Sequence, residues 1–135
     1  MRFLPDTNAC VQLLRDRDKQ FIAKWRSILS EEIVLSSVVI YELRYGAARS
    51  TDPGAEHQRL DLFVKQFQSL PFDESCAVRC GELRAELEKK GQPIGPYDLQ
   101  IAATALEFGL TLVTHNTREF GRISGLTIVD WQIAP

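Results

Sequence analysis

The chain of 135 residues is poor in the residues that protein metal cages and disulfide frameworks require, with only two histidines and three cysteines. Neither His57 nor His115 belongs to a recognisable metal-ligand spacing. An odd cysteine count argues against a disulfide framework, so we interpret Cys10, Cys76 and Cys80 as small buried residues of a protein in a reducing compartment. We therefore expect a cytoplasmic protein that is neither disulfide-rich nor zinc-binding.

Long apolar runs and an excess of basic charge are also missing. No stretch of 18 apolar residues is present, and the N-terminus lacks a charged segment followed by an apolar one, so neither a membrane span nor a secretion signal is predicted. The formal net charge is −2, from 16 Lys and Arg against 18 Asp and Glu. The molecule as a whole does not attract nucleic acid, and any RNA or DNA must be bound by a local patch.

What the chain does contain is an alternation of short apolar strands with helical segments. The clearest example is residues 95–109, where turn formers lead into a nearly all-apolar helix that ends at a glycine and precedes a strand-like run. This pattern predicts one α/β domain over residues 1–135, with a mainly parallel sheet covered by helices on both faces. A helix starting at Ser37, with that serine as its cap, and another ending near Phe67 flank a clear loop and predict an antiparallel helical hairpin.

Four carboxylates stand at the boundaries of these elements, namely Asp6, Glu42, Asp98 and Glu119. Taken singly, each has an ordinary structural explanation: a helix cap for the two aspartates, a solvated helix position for Glu42, and a first-turn charge for Glu119. If they converge, their mutual repulsion raises pKa values unless a cation intervenes, and oxygen ligands suit Mg²⁺ or Mn²⁺. Phosphodiester hydrolysis is the chemistry that such a site supports.

The topology of parallel sheets suggests where these carboxylates meet. Ligands bind beyond the carboxyl ends of the strands, and Asp6, Asn116 and Glu119 follow strands directly. Asp98 begins a helix that precedes a strand, so we expect that helix to cross near the site if Asp98 is to join the others.

Four segments in order resemble the PIN-domain ribonucleases, and more closely the VapC toxins of bacterial toxin-antitoxin pairs. They are Asp6-Thr7-Asn8, residues 39–46 around Glu42, residues 93–98 ending at Asp98, and residues 113–120 containing Asn116 and Glu119. The resemblance extends from the first strand to Trp131. Two positions depart from it: Asn116 stands where many relatives carry Asp, which lowers the charge of the pocket and argues against a second metal ion, and Pro5 replaces an apolar strand residue.

The resemblance implies more than the spacing does. It implies a PIN-like three-layer fold with an inserted helical hairpin, and an acidic pocket in which Asp6 and Asp98 hold Mg²⁺ or Mn²⁺. Glu42 and Glu119 would complete the catalytic site directly or through water, with Thr7 and Asn116 orienting ligands. The implied activity is a metal-dependent endoribonuclease toxin that cleaves structured RNA, most often tRNA. The implied partners are a second copy of the chain and a cognate VapB-type antitoxin.

Basic and aromatic residues near these segments are candidates for RNA contact. The basic candidates are Arg15, Arg17, Lys19, Arg44 and Arg49, and the alternative is an ordinary solvated face. Tyr41 and Tyr45 could stack on unpaired bases or pack between the helices of the hairpin.

Two noncatalytic alternatives remain open at this point. A receiver-type signalling domain also gathers carboxylates at strand ends around Mg²⁺, but it carries paired acids near its first strand and a lysine after a late strand, whereas Asp6 has no acidic neighbour and His115 stands after Thr114. The second alternative is a degenerate PIN domain that only binds partners. The ligands that Mg²⁺ needs are present, which argues against this alternative.

Overall fold

The computed structural model of the chain describes residues 1–132, so residues 133–135 of the predicted domain lie outside the described part. Within it, five short strands are β1 (Phe3–Pro5), β2 (Val34–Ser36), β3 (Gln68–Leu70), β4 (Thr111–Val113) and β5 (Ile128–Val129). Seven α-helices are α1 (Thr7–Arg15), α2 (Lys19–Arg26), α3 (Ser37–Ala48), α4 (Pro53–Val64), α5 (Glu74–Lys89), α6 (Pro96–Glu107) and α7 (Thr117–Phe120).

All strand pairings in this range are parallel. One sheet has the order β1-β4-β5, and β2 pairs with β3 in a second. A single parallel bridge between Phe3 and Ile33 joins the two, which gives the overall order β3-β2-β1-β4-β5. Pro5 is the last residue of β1, as predicted, and the ladder continues with the Asp6 N–H donating to the Val113 carbonyl at 2.9 Å. The predicted α/β fold with a parallel sheet is confirmed, and the carboxyl ends of the strands share one edge.

Strands β1 and β2 are buried on both faces, and β4 is buried over most of its length. Leu4, Val34, Leu35 and Leu112 have no exposed surface, which explains why they read as continuous apolar runs without alternation. An aromatic cluster fills the core at one end, where Trp25 contacts four other rings: Phe21, Phe63, Phe67 and Trp131. No helix among residues 1–132 is both long enough and apolar enough to cross a membrane.

Helix α6 is buried nearly all round, as its sequence predicts. Gly95 is its N-cap and makes no side-chain cap, and Pro96 occupies the first turn, so Asp98 is not a capping residue. Gly109 adopts φ +65° and reverses the chain into β4. Because the helix runs back along the strand that follows it, it begins at the carboxyl edge of the sheet. The expectation that this helix must cross near the site is therefore wrong.

Helices α3 and α4 form the predicted hairpin. The Arg44 guanidinium, on α3, donates to Asp61 Oδ1 on α4 at 2.7 Å and to the His57 carbonyl at 3.1 Å. These contacts fasten the two helices to each other near their middles.

The cap of α3 is Ser36 rather than the predicted Ser37. Its hydroxyl accepts a hydrogen bond from the Val38 N–H at 3.0 Å, and Ser36 is fully buried. Ser37 instead accepts a hydrogen bond from the Phe72 N–H at 3.1 Å. We expect Ser36→Ala to lower the free energy of unfolding by about 1 kcal/mol, because it leaves a helix N–H without a partner. Urea denaturation measures the loss, and a cost as small for Ser36→Ala as for Ser37→Ala would contradict this assignment.

The cysteines are free and only partly follow the prediction. Cys10 and Cys76 are buried, whereas Cys80 is half-buried, so the interpretation of all three as buried residues is wrong for Cys80. Burial raises the pKa of the Cys10 thiol well above its ordinary value, which keeps it protonated.

Candidate active site

Asp6 is at once a helix cap and a residue of the acidic edge. It follows β1, and its Oδ1 accepts a hydrogen bond from the Ala9 N–H at 2.8 Å, which caps α1. Burial raises the pKa of Asp6, although the Ala9 N–H and the nearby Thr114 hydroxyl favour the charged carboxylate, and the charges of Glu42 and Asp130 raise the pKa further. The cap interpretation and the site interpretation are therefore compatible.

Glu42 reaches the same edge from the neighbouring part of the sheet. It lies on α3, half-buried beside the core residue Leu43. The Thr7 hydroxyl, in the first turn of α1, donates to Glu42 Oε1 at 2.6 Å. This contact between helices that follow β1 and β2 holds the Glu42 carboxylate next to Asp6.

Asn116 and Glu119 form a bonded pair after β4. The Asn116 side-chain amide donates to Glu119 Oε2 at 2.6 Å, and its oxygen caps α7 by accepting from the Glu119 N–H at 3.4 Å. The Asn116 N–H in turn donates to the Thr114 hydroxyl at 2.9 Å. Hydrogen bonds thus link Glu119 through Asn116 to Thr114, whose hydroxyl lies beside Asp6.

Asp98 faces the other three carboxylates from the first turn of α6. Its pKa rises from 3.8 to about 6, first because the carboxyl is partly buried and then because of the negative charges of Asp6, Glu119 and Glu42. The structure therefore brings together the four acids that the sequence singled out. Within residues 1–132, however, no three Asp, Glu, His or Cys side chains are close enough to surround one ion.

This arrangement fits a magnesium ion better than it fits an all-protein metal cage. Mg²⁺ is usually bound by one or two carboxylates, and water and substrate phosphate supply the other ligands. Carboxylates that repel one another in a partly buried pocket supply that charge, and a cation there removes the repulsion. Two carboxylates and water molecules are accordingly the ligand set that these residues can offer.

The chain is similar over nearly its whole length to a known protein family and to proteins of solved structure. The PIN domain family model matches residues 3–126. The chain belongs to the PIN-domain family. The tRNA(fMet)-specific endonuclease VapC of Salmonella typhimurium is 36% identical over 131 residues, covering 97% of this chain and 98% of that protein. Ribonuclease VapC2 of Rickettsia felis is 36% identical over 132 residues, with the same coverage of 97% and 98%.

Solved structures agree with this assignment. The crystal structure of DNA-bound VapBC from Salmonella typhimurium contains a chain with a TM-score of 0.91 and 37% identity, and the match covers 97% of this chain and 98% of that one. The predicted resemblance to VapC-type PIN domains is confirmed. The receiver-type alternative is excluded, because both the sequence match and the fold match are to PIN domains.

The basic candidates for RNA contact occupy different surroundings in this PIN domain. Arg15, Arg17 and Lys19 are exposed at the end of α1 and beyond it. Arg49 is exposed and lies over the Tyr45 ring, 5.5 Å from its centroid. Arg44 instead forms a salt bridge with Asp61 of the same hairpin, so its charge is already paired.

The tyrosines near the acids are exposed, so the alternative that they pack between the hairpin helices is wrong. Tyr41 is 51% exposed and Tyr45 58%. Tyr41 also meets Tyr97, with ring centroids 5.4 Å apart and the two hydroxyls 3.1 Å apart. Since Tyr41 precedes Glu42 and Tyr97 precedes Asp98, this aromatic pair lies beside the acidic edge.

Three polar residues of the PIN domain that sequence reasoning missed lie at the same edge: Thr114, His115 and Asp130. Thr114 is buried, and its hydroxyl lowers the pKa of Asp6, whereas the charge of Asp130 raises it. His115 Nδ1 lies 2.8 Å from Asp130 Oδ2. Each follows or ends a strand, and that position at the carboxyl edge is the signal that could have identified them.

The contact between Thr7 and Glu42 gives a graded test. We expect Thr7→Val to lower the rate of RNA cleavage about 10-fold, because residues that orient a metal site typically cost 10- to 100-fold when they are removed. Thr7→Ser keeps the hydroxyl and should retain most of the activity. Single-turnover cleavage of a labelled RNA measures both, and equal losses in the two variants would contradict a role for the hydrogen bond.

Proposed function

We propose that this PIN domain is a metal-dependent endoribonuclease toxin that cleaves structured RNA, with tRNA as its substrate class. The observation that carries the proposal is the meeting of four carboxylates at the carboxyl edge of the sheet, where burial and the charges of the other three raise the pKa of Asp98 to about 6. A similar protein of Salmonella typhimurium is named as a tRNA(fMet)-specific endonuclease, which supports the substrate class.

In this proposal each site residue has a separate task. Asp6 and Asp98 would hold Mg²⁺, or Mn²⁺ in its place, and such an ion would supply an activated water and stabilise charge on the leaving oxygen. Glu42 and Glu119 are catalytic residues that act on this site through water. Thr7 fixes Glu42 at 2.6 Å and Asn116 fixes Glu119 at 2.6 Å, so the two carboxylates are already oriented before RNA binds.

RNA would be bound by residues around the acids, since the chain as a whole has no excess of positive charge. We propose that Arg15, Arg17, Lys19 and Arg49 contact phosphates, because their side chains are exposed. Arg44 is less suited to direct contact, and its ion pair with Asp61 makes it a residue that fastens the hairpin. The exposed rings of Tyr41 and Tyr97 offer a surface on which an unpaired base can stack.

A VapB-type antitoxin is the proposed neutralising partner, and a second copy of the chain is the proposed dimer partner. Solved structures of similar proteins include VapBC complexes from Salmonella typhimurium and from Rickettsia felis, the second with a TM-score of 0.88. We place the activity in the cytoplasm, as the cysteine usage of the sequence predicts.

Sequencing of RNA 5′ ends after induced expression tests the proposal. The wild type should create new 5′ ends at a small number of positions in structured RNA and arrest growth, and Asp98→Asn should do neither. Co-expression of a small gene adjacent to the toxin gene should relieve the arrest. New ends that are equally abundant with Asp98→Asn, or absent with both proteins at matched expression, would contradict the proposed function and favour a PIN domain that only binds partners.

A further inference from the structure

A cavity lined mostly by polar residues lies beside the acids, between α1 and the turn that follows β4. We propose that this cavity binds one unpaired nucleobase of the RNA, next to the bond that is cut, and that its amide side chains set the base preference of cleavage. The inference rests on the proposed function and adds to it a specificity pocket.

The composition of the cavity wall is the first observation. The cavity has a volume of about 360 Å³, within the range of small-molecule sites. One lining residue is apolar, Val11, and the others are Asn8, Gln12, Arg15, His115, Asn116 and Gln132. Four side-chain amides thus surround one cavity together with an imidazole and a guanidinium.

The second observation is that the Asp130 carboxylate holds the His115 side chain in place. Asp130 exposes only 7% of its side chain, and its two oxygens are both used: Oδ2 accepts from His115 Nδ1 at 2.8 Å and Oδ1 accepts from the Gln132 N–H at 2.8 Å. The His115 side chain itself is 65% exposed. Asp130 therefore orients the imidazole, whose other nitrogen, Nε2, makes no hydrogen bond to residues 1–132.

This wall chemistry suits a nucleobase better than a simple anion. Each amide carries donors and an acceptor, so amides match base edges, which also present both. A phosphate offers acceptors only and would leave the amide oxygens without partners. Unpaired bases of RNA are commonly recognised by hydrogen bonds to their edges and by stacking on His or Arg side chains, and His115 and Arg15 supply those surfaces.

The position of the cavity ties it to the chemistry of the acids. Asn8 lies two residues after Asp6 on α1, and Asn116 bonds Glu119. His115 follows Thr114, whose hydroxyl contacts Asp6. In the strand order, this cavity lies on the β4 side of Asp6, whereas Tyr41 lies on the β2 side. A base in the cavity would therefore place its own phosphate at the acids and its neighbour towards the tyrosines.

Gln12→Ala is the sharpest variant, because Gln12 is half-buried in the middle of α1 and alanine favours the helix. The substrate is a pool of RNA hairpins with a fully randomised loop, and the cleaved products are sequenced for each protein. The wild type should prefer one base or base class at one position next to the cut. Gln12→Ala should reduce that preference about 10-fold, and Gln58→Ala, on the exposed face of α4, should leave it unchanged.

A binding measurement with the wild type, Gln12→Ala and His115→Ala separates this inference from catalysis. The probe is a hairpin with the preferred loop, kept uncut by a chelator, compared with the same hairpin carrying a disfavoured base. We expect the wild type to discriminate between the two and both variants to lose that discrimination. Cleavage by the wild type with an unaltered preference in Gln12→Ala and His115→Ala would overturn the nucleobase pocket alone. Absence of any cleavage by the wild type with Mg²⁺ or Mn²⁺ would overturn the proposed function, and the pocket with it.

Discussion

Asp6→Asn and Asp98→Asn should each lower the rate of RNA cleavage by about 1,000-fold, while the fold is retained. Removing a single group that stabilises charge in a transition state typically costs 100- to 1,000-fold, and a lost metal ligand also weakens binding of the ion. Asparagine is as good a helix cap as aspartate, so Asp6→Asn keeps the hydrogen bond to the Ala9 N–H that begins α1. The loss should therefore come from the site and not from unfolding.

Asp73→Asn is the matched control for this experiment. Asp73 is an exposed cap whose Oδ1 accepts from the Cys76 N–H at 2.9 Å at the start of α5, so the same chemical change is made at a cap that has no part in the acidic edge. Cleavage of a labelled tRNA at several Mg²⁺ concentrations measures all three variants. Full activity of Asp6→Asn or Asp98→Asn, or an equal loss in Asp73→Asn, would count against the assignment of the site.

Without metal, Asp98→Asn should make the protein more stable at neutral pH. The rise of the Asp98 pKa from 3.8 to about 6 means that the folded chain binds this proton more tightly than the unfolded chain does. Stability contributed by the protonated carboxyl is present below pH 4 and is lost as the pH rises through about 6. The rise corresponds to about 3 kcal/mol at neutral pH. Solvent screens a half-exposed carboxylate, so we expect a gain of about 1 to 2 kcal/mol on substitution.

Urea denaturation in the presence of a chelator measures this gain. The advantage of Asp98→Asn over the wild type should be largest at pH 7.5 and should shrink as the pH falls towards 4, where the wild-type carboxyl is protonated in both states. Added Mg²⁺ should stabilise the wild type more than the variant, because an ion that binds the folded state shifts its stability by mass action. A variant that is less stable than the wild type at pH 7.5 without metal would show that the acids do not repel one another there.

The sequence was sufficient to place those site residues that directly follow strands. Asp6 is placed by β1 and Asn116 by β4, because a residue that follows a parallel strand must lie at the carboxyl edge. Helix periodicity places Glu42 about 60° from the inward-facing Val39, at the boundary of the core, and Glu42 is half-buried there. The apolar character of α6 likewise predicted its burial, and no tertiary information was needed for it.

The rest depended on the arrangement of elements in three dimensions. The position of Asp98 follows from the direction of α6 against β4, which periodicity does not contain, and its apparent role as a cap was wrong because Gly95 is the N-cap. His115 and Asp130 are 15 residues apart and meet only because β5 pairs with β4. The cap of α3 was misplaced by one residue because Ser36 and Ser37 are both plausible caps, and only the packing of β2 selects the first.

The boundary between β1 and β2 runs through the acidic site. A single strand bridge, from Phe3 to Ile33, joins the two parts of the sheet there, supported by the hydrogen bond from the Arg2 N–H to the Glu32 carbonyl at 2.8 Å. Asp6 follows β1, and Glu42 lies on α3, which follows β2. The Thr7 hydroxyl donates a hydrogen bond to Glu42 across this boundary. Because α3 carries Glu42, a partner that displaced the α3–α4 hairpin would also change the separation of the two carboxylates.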